Sequence, residues 1–128
     1  MAKIAIIEDE HAIAEMYRFK LEADSYEVRC AYDGVSGLAL VEAYHPDLLL
    51  LDLMMPQMPG HELLQKIQSE DWSTDMKVIV LTNLSKDVAP PLLSKLRYDR
   101  YIVKAQFTPT QIVALVSEVL KGKKESKK

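Results

Sequence analysis

The apolar positions of this chain recur with two periods, and the change from one to the other divides it into alternating strands and helices. Lys3–Ile7 (KIAII) is a short β-branched run that stops against three acids, Glu8, Asp9 and Glu10. A run of that length bounded by charge predicts a buried strand. Ile13, Met16, Tyr17 and Leu21 then fall at helical spacing and predict an amphipathic helix over about 10–22. Tyr26–Ala31 alternates and reads as a second strand. Asp33 is placed to cap a helix over about 34–44, with Val35, Leu38 and Ala39 turned inward. Asp47–Leu51 (DLLLL) is apolar after its first residue, the pattern of a strand covered on both faces. A loop at Met54–Gly60 leads to a third helix over about 61–69, carried by Leu63, Leu64 and Ile67.

Lys77–Thr82 is the clearest strand, and Arg100–Lys104 is a fifth. Between them Leu92, Leu93 and Leu96 predict a fourth helix within Ser85–Tyr98. Pro90 and Pro91 cannot lie in its interior, so they are expected in its first turn, with any preceding turn broken or 3₁₀. Thr108, Pro109 and Gln111 read as the cap, the first residue and the capping-box partner of a last helix. Its buried stripe is Ile112, Leu115, Val116, Val119 and Leu120, and Gly122 stops it. Five strands alternating with five helices predict an α/β domain with a parallel sheet, helices on both faces and right-handed crossovers.

Composition narrows this reading without changing it. A length of 128 residues fits one domain with its own core. The single cysteine, Cys30, forms no internal disulfide or cysteine-rich zinc site, is expected buried at a strand end, and suits a reducing, cytoplasmic setting. The net charge of −3 is uneven: residues 121–128 carry +4, leaving −7 on residues 1–120. An acidic body argues against direct nucleic-acid binding, and the basic end reads as a tail or the start of a linker. No apolar run reaches the roughly 18–20 residues of a membrane span, and no secretory signal is expected.

In a doubly wound sheet, ligands collect beyond the carboxyl ends of the strands. Glu8-Asp9-Glu10, Asp52, Thr82-Asn83 and Lys104 all stand at such ends. Carboxylates, a hydroxyl and an amine facing one volume suit phosphoryl transfer: hard oxygen ligands for Mg²⁺, a carboxylate nucleophile, and a cation and hydroxyl for the transferring group's charge.

With those residues go longer stretches: IIEDE, HPDLLLLDLMMPQMPGHELL, VIVLTN and YIVKAQFTPTQI, with spacings of 30 from Asp52 to Thr82 and 22 from Thr82 to Lys104. Over about residues 3–121 the chain resembles the receiver domain of two-component response regulators, of the chemotaxis-regulator kind. The resemblance implies a flavodoxin-like three-layer α/β/α sandwich with strand order 2-1-3-4-5 and five helices. It implies a receiver over 1–121, with 122–128 as tail or linker. It implies that Asp52 takes phosphate from a sensor kinase's phosphohistidine, or from a phosphotransfer protein, with Mg²⁺ (or Mn²⁺) held by Asp9, Asp52, the Met54 backbone carbonyl and, through water, Glu8. Thr82 and Lys104 would contact the phosphoryl group, and Thr82 and Tyr101 would form the switch. A partner face would include Tyr98, Arg100 and Tyr101 and would bind an unidentified downstream protein. Such a domain catalyses only its own phosphotransfer and dephosphorylation, and is a monomer or a weak phosphorylation-dependent dimer.

Three positions differ from most relatives. Ala105 follows Lys104 where Pro in a cis bond is usual, so this bond is expected to be trans. Asn83 replaces a small residue, and Arg97-Tyr98 replace Gly-Ala before the fifth strand. Other functions fit less well. An aspartyl-nucleophile phosphatase of the haloacid dehalogenase type wants a second Asp where Met54 stands. A flavin carrier wants a phosphate cradle where the first loop is acidic. A phosphate-independent binding module is opposed by the intact Asp52, Thr82 and Lys104. His11 is near the acids, while His45 and His61 read as loop and helix-start residues without metal-ligand spacing.

Overall fold

In the computed structural model, which describes residues 1–122, strands β1 (Lys3–Ile7), β2 (Glu27–Ala31), β3 (Leu48–Leu51), β4 (Lys77–Thr82) and β5 (Arg100–Val103) form one parallel sheet in the order β2-β1-β3-β4-β5. The register pairs Ile7 with Leu51, Leu51 with Val80, and Val80 with Tyr101, so neighbouring strands end nearly level. The two-residue period of a strand then sorts the core into two layers. Ile4, Ile6, Leu48, Leu50, Ile79 and Leu81 face one side. Ala5, Ile7, Leu49, Leu51, Val78 and Val80 face the other. All four leucines of β3 are buried, each worth about 2 kcal/mol against exposure, which accounts for a run with no polar position.

Helix α1 (His11–Ala23) packs on the first face through Ala14, Tyr17 and Leu21, and α4 (Pro109–Leu120) packs beside it through Ile112, Val113, Val116 and Val119. The capping box at Thr108 and Gln111 forms, and Gly122 takes a left-handed φ of 80° just past the helix. The basic residues beyond Gly122, expected as tail or linker, lie outside the described residues.

Helices α2 (Gly34–Tyr44) and α3 (Gly60–Gln68) cover the second face. Asp33 caps α2 through the Ser36 amide as expected, but the inward face differs. Gly34, Gly37, Val41 and Tyr44 are buried, whereas Val35 is 52% exposed. The cause is closeness of approach. A Cβ on Gly37 would lie 2.6 Å from Ile7 Cγ2, and one on Gly34 would lie 2.0 Å from the Met58 carbonyl oxygen. The side without side chains lets α2 reach the sheet, so bulk does not mark its buried face.

The fifth helix expected between β4 and β5 is absent: the described residues contain four α-helices. Lys86–Val88 and Pro91–Lys95 form two short 3₁₀ turns instead. A proline restricts the residue before it to extended backbone and removes a helical donor. Ala89 (φ −65°, ψ 150°) and Pro90 (φ −56°, ψ 135°) are accordingly extended. After Pro91 the chain makes a single 3₁₀ turn, and Leu96 is already extended (φ −112°, ψ 159°). Side chains secure the irregular crossover: Gln68 donates to the Arg97 carbonyl (2.7 Å) and accepts from its amide (2.9 Å), while Asp99 accepts from the Val78 amide (2.8 Å).

Candidate functional site

The level strand ends bring four segments to one edge of the sheet. Main-chain ladders run one residue past the strands, from the Glu8 amide to the Ala31 carbonyl and from the Asp52 amide to the Ile7 carbonyl, both 3.0 Å. Glu8 and Asp52 are thereby held by backbone at the mouth of the core, 2% and 5% exposed. Thr82, the last residue of β4, is fully buried. Lys104 opens a 3₁₀ turn straight after β5. No peptide bond is cis among the described residues, so Lys104–Ala105 is trans, as alanine favours.

Lys104 is the centre of the arrangement. Its Nζ donates to Glu8 Oε1 and, at 3.1 Å, to Asp52 Oδ2. Asp52 Oδ1 also accepts from the Met54 amide (3.1 Å), and Glu8 Oε2 accepts from the Glu10 amide (3.1 Å). Burial pushes the Glu8 pKa above its ordinary value, and the hydrogen bond from Lys104 only partly offsets this. Burial pulls Lys104 the other way, but its bond to Glu8 and the charge of Asp52 carry its pKa above the usual lysine value. The ammonium is therefore fully charged at neutral pH.

Carboxylate oxygens of Glu8, Asp9 and Asp52 all lie within 4.8 Å of one another. One ammonium against three carboxylates leaves net negative charge. The donors are all hard oxygens, which fits a divalent cation of the Mg²⁺ class better than a softer metal.

On the β5 side, the Leu84 amide lies 3.5 Å from Thr82 Oγ1, a long contact, and the Tyr101 hydroxyl donates to the Leu84 carbonyl at 2.8 Å. Tyr98 meets Tyr101 edge-on at 6.3 Å between ring centroids, with the Lys86 ammonium 5.8 Å from the Tyr98 ring centre. Of the residues expected on a partner face, Tyr98 and Tyr101 are half-buried, while Arg100 is buried and donates to the Asp99 carbonyl. Leu84 carries no signal in the sequence because its part is played by main-chain N–H and C=O, which every residue but proline carries. The structure thus brings Glu8, Asp9, Asp52, Met54, Thr82 and Lys104 to one edge, with Tyr101 linked to it through Leu84.

No helix among the described residues is long and apolar enough to cross a membrane. The family described as response regulator receiver domain matches residues 4–117. The chain is similar to the crystal structure of a CheY-like response regulator receiver domain protein from Methanospirillum hungatei JF-1, with 30% identity, 95% of each chain covered and a TM-score of 0.85. The receiver domain of the Francisella response regulator 1452 is 25% identical, with 95% of this chain and 98% of that one covered and a TM-score of 0.82. Chemotaxis response regulator CheY4 of Vibrio cholerae shares the fold at 24% identity and a TM-score of 0.84, over 93% of this chain and 98% of that one. Residues 4–117 make up most of the sequence, so the chain belongs to the response regulator receiver domain family of two-component signalling.

Proposed function

We propose that this receiver, spanning residues 1–121, is a phosphorylation-controlled switch of the cytoplasm in which Asp52 is the phosphoacceptor. The observation that carries the reading is the Lys104 ammonium lying between the Glu8 and Asp52 carboxylates at the strand ends. A sensor kinase, or a phosphotransfer protein, would present a phosphohistidine. A carboxylate oxygen of Asp52 bonds to phosphorus as the N–P bond breaks, and the bonding pair stays on the donor imidazole. Lys104 exchanges its bond to Asp52 Oδ2 for one to a phosphoryl oxygen, and the Thr82 hydroxyl takes another. Asp9, Asp52 and the Met54 carbonyl, with Glu8 through water, would hold Mg²⁺ or Mn²⁺. When bound, that ion neutralises charge on the phosphoryl oxygens. The domain acts on no substrate beyond its own phosphoryl group.

The readout runs through Leu84. Drawing Thr82 towards the phosphate loosens its long contact with the Leu84 amide, and Leu84 also holds the Tyr101 hydroxyl. The surface around Tyr98 and Tyr101 is thereby tied to occupancy at Asp52. A downstream protein reads that change; a few kcal/mol of differential interaction suffices to shift a two-state surface.

Incubation with phosphoramidate and Mg²⁺ is expected to add the mass of one phosphoryl group to the intact protein, and Asp52→Asn to add none. Equal incorporation by both proteins would remove Asp52 from this role. A beryllofluoride adduct, standing in for the phosphoryl group, is expected to shift amide signals across residues 84–104 as well as around Asp9 and Asp52. Shifts confined to the acids would favour a binding module that ignores phosphate.

A further inference from the structure

We propose that a cavity beside Asp9 receives an apolar side chain of the phosphodonor protein, carried about one helical turn from the histidine that delivers the phosphoryl group. This inference rests on the reading of Asp52 as phosphoacceptor. The cavity, of about 510 Å³, opens between the loop that follows β3 and the irregular chain that follows β4. Asp9 belongs both to this cavity and to the acid cluster, where its carboxylate comes within 4.8 Å of Asp52's. Apart from His61 the rest of the wall is apolar, Met55, Pro56, Pro59 and Leu84 among it. One polar group interrupts it: His61 lines the cavity, and its Nδ1 is buried without a hydrogen-bond partner. A largely apolar wall with a few polar groups is the usual make-up of a recognition pocket, and a buried polar atom left unpaired calls for an explanation.

The chemistry at Asp52 decides what covers the pocket. Phosphotransfer brings the donor's histidine to bonding distance of a phosphorus held against Asp52, so donor surface lies over this mouth throughout the reaction. The donor side chain above the cavity is then the one sharing a face with that histidine. Side chains three or four apart on a helix stand about 5–6 Å apart, comparable with the 4.8 Å limit between the Asp9 and Asp52 oxygens. An acidic neighbour would meet Asp9, whereas an apolar one loses water against the methionine and proline wall. Unbranched Met55 lets that wall adapt to the entering shape. A small phosphodonor reaches Asp52 without filling the cavity, so the pocket discriminates among protein donors only.

Two synthetic phosphohistidine peptides test this, identical amphipathic helices with Leu or Ala four residues after the phosphohistidine, alongside phosphoramidate. Transfer to the native protein is expected to be about tenfold faster from the Leu peptide, equivalent to ~1.4 kcal/mol. Met55→Trp, which adds bulk to the wall and narrows the cavity, should bring the ratio towards one. Phosphoramidate incorporation by the same variant shows that its site still works, and Met55→Phe replaces it if that incorporation is lost. Equal rates from the two peptides on the native protein overturn the proposal. So does transfer from neither peptide while phosphoramidate reacts, or a Leu preference undiminished by the narrowed cavity. Failure of phosphoramidate to phosphorylate the native protein instead overturns the phosphoacceptor reading itself.

Discussion

Lys104→Met is expected to cost about 3 kcal/mol of stability at pH 7 in the absence of divalent metal, because it leaves two buried carboxylates facing each other without their cation. Lys104 has a folded pKa above its ordinary value, so its contribution is fully present at neutral pH and is lost only as pH rises through the lysine range. In the variant Glu8 keeps its burial, its repulsion from Asp52 and its bond from the Glu10 amide, and loses the Lys104 hydrogen bond, the largest influence lowering its pKa. An acid whose folded pKa is raised destabilises the fold above its unfolded pKa, and that penalty lifts as pH falls through the folded value. Lowering the pH from 7 towards about 5 should therefore recover more stability in Lys104→Met than in the native protein. Urea midpoints at the two pH values, with chelator present, measure this; equal pH dependence in both proteins would contradict the assigned electrostatics.

Gly60→Ala is expected to destabilise by about 3 kcal/mol or more, through overpacking and a broken hydrogen bond. A Cβ at this position would lie 2.1 Å from the Asp52 carbonyl oxygen and 3.0 Å from Leu53 Cα. Both neighbours are backbone, and the Gly60 amide donates to the Leu53 carbonyl at 3.0 Å. The start of α3 must then move away from the phosphoacceptor segment, breaking that bond. Phosphate uptake should fall together with the urea midpoint, since the displaced backbone is that of Asp52 itself. An alanine variant with unchanged midpoint would show that α3 does not press on the site.

The chemical residues of the site were legible because each stands at a strand end whose strand is unmistakable. Four leucines lead to Asp52, KVIVLT ends in Thr82, and RYIVK ends in Lys104. Once strands run parallel and finish level, sequence position becomes spatial position. Contacts that depend on which atom turns where were not legible. Nothing in the sequence said that Lys104 would bond both Glu8 and Asp52, that Leu84 would link Thr82 to Tyr101, or that Arg100 would be buried.

Local sequence is enough for the strands, the spans of all four helices, the capping box at Thr108 and the break at Pro90-Pro91. These follow from local physics: side-chain periodicity, donors available to a helix end, and the fixed φ of proline. In α2 the span is local, but the buried face is settled by tertiary contact. Only packing against Ile7 and Met58 makes glycine the inward residue there. The crossover before β5 was likewise a tertiary matter. Its leucines fit a helix locally, yet the extended Ala89-Pro90 pair and the Gln68 bonds to Arg97 favour two 3₁₀ turns. Local preferences act over a few residues, whereas close approach and the bonds that hold a crossover are set by elements far apart in the chain.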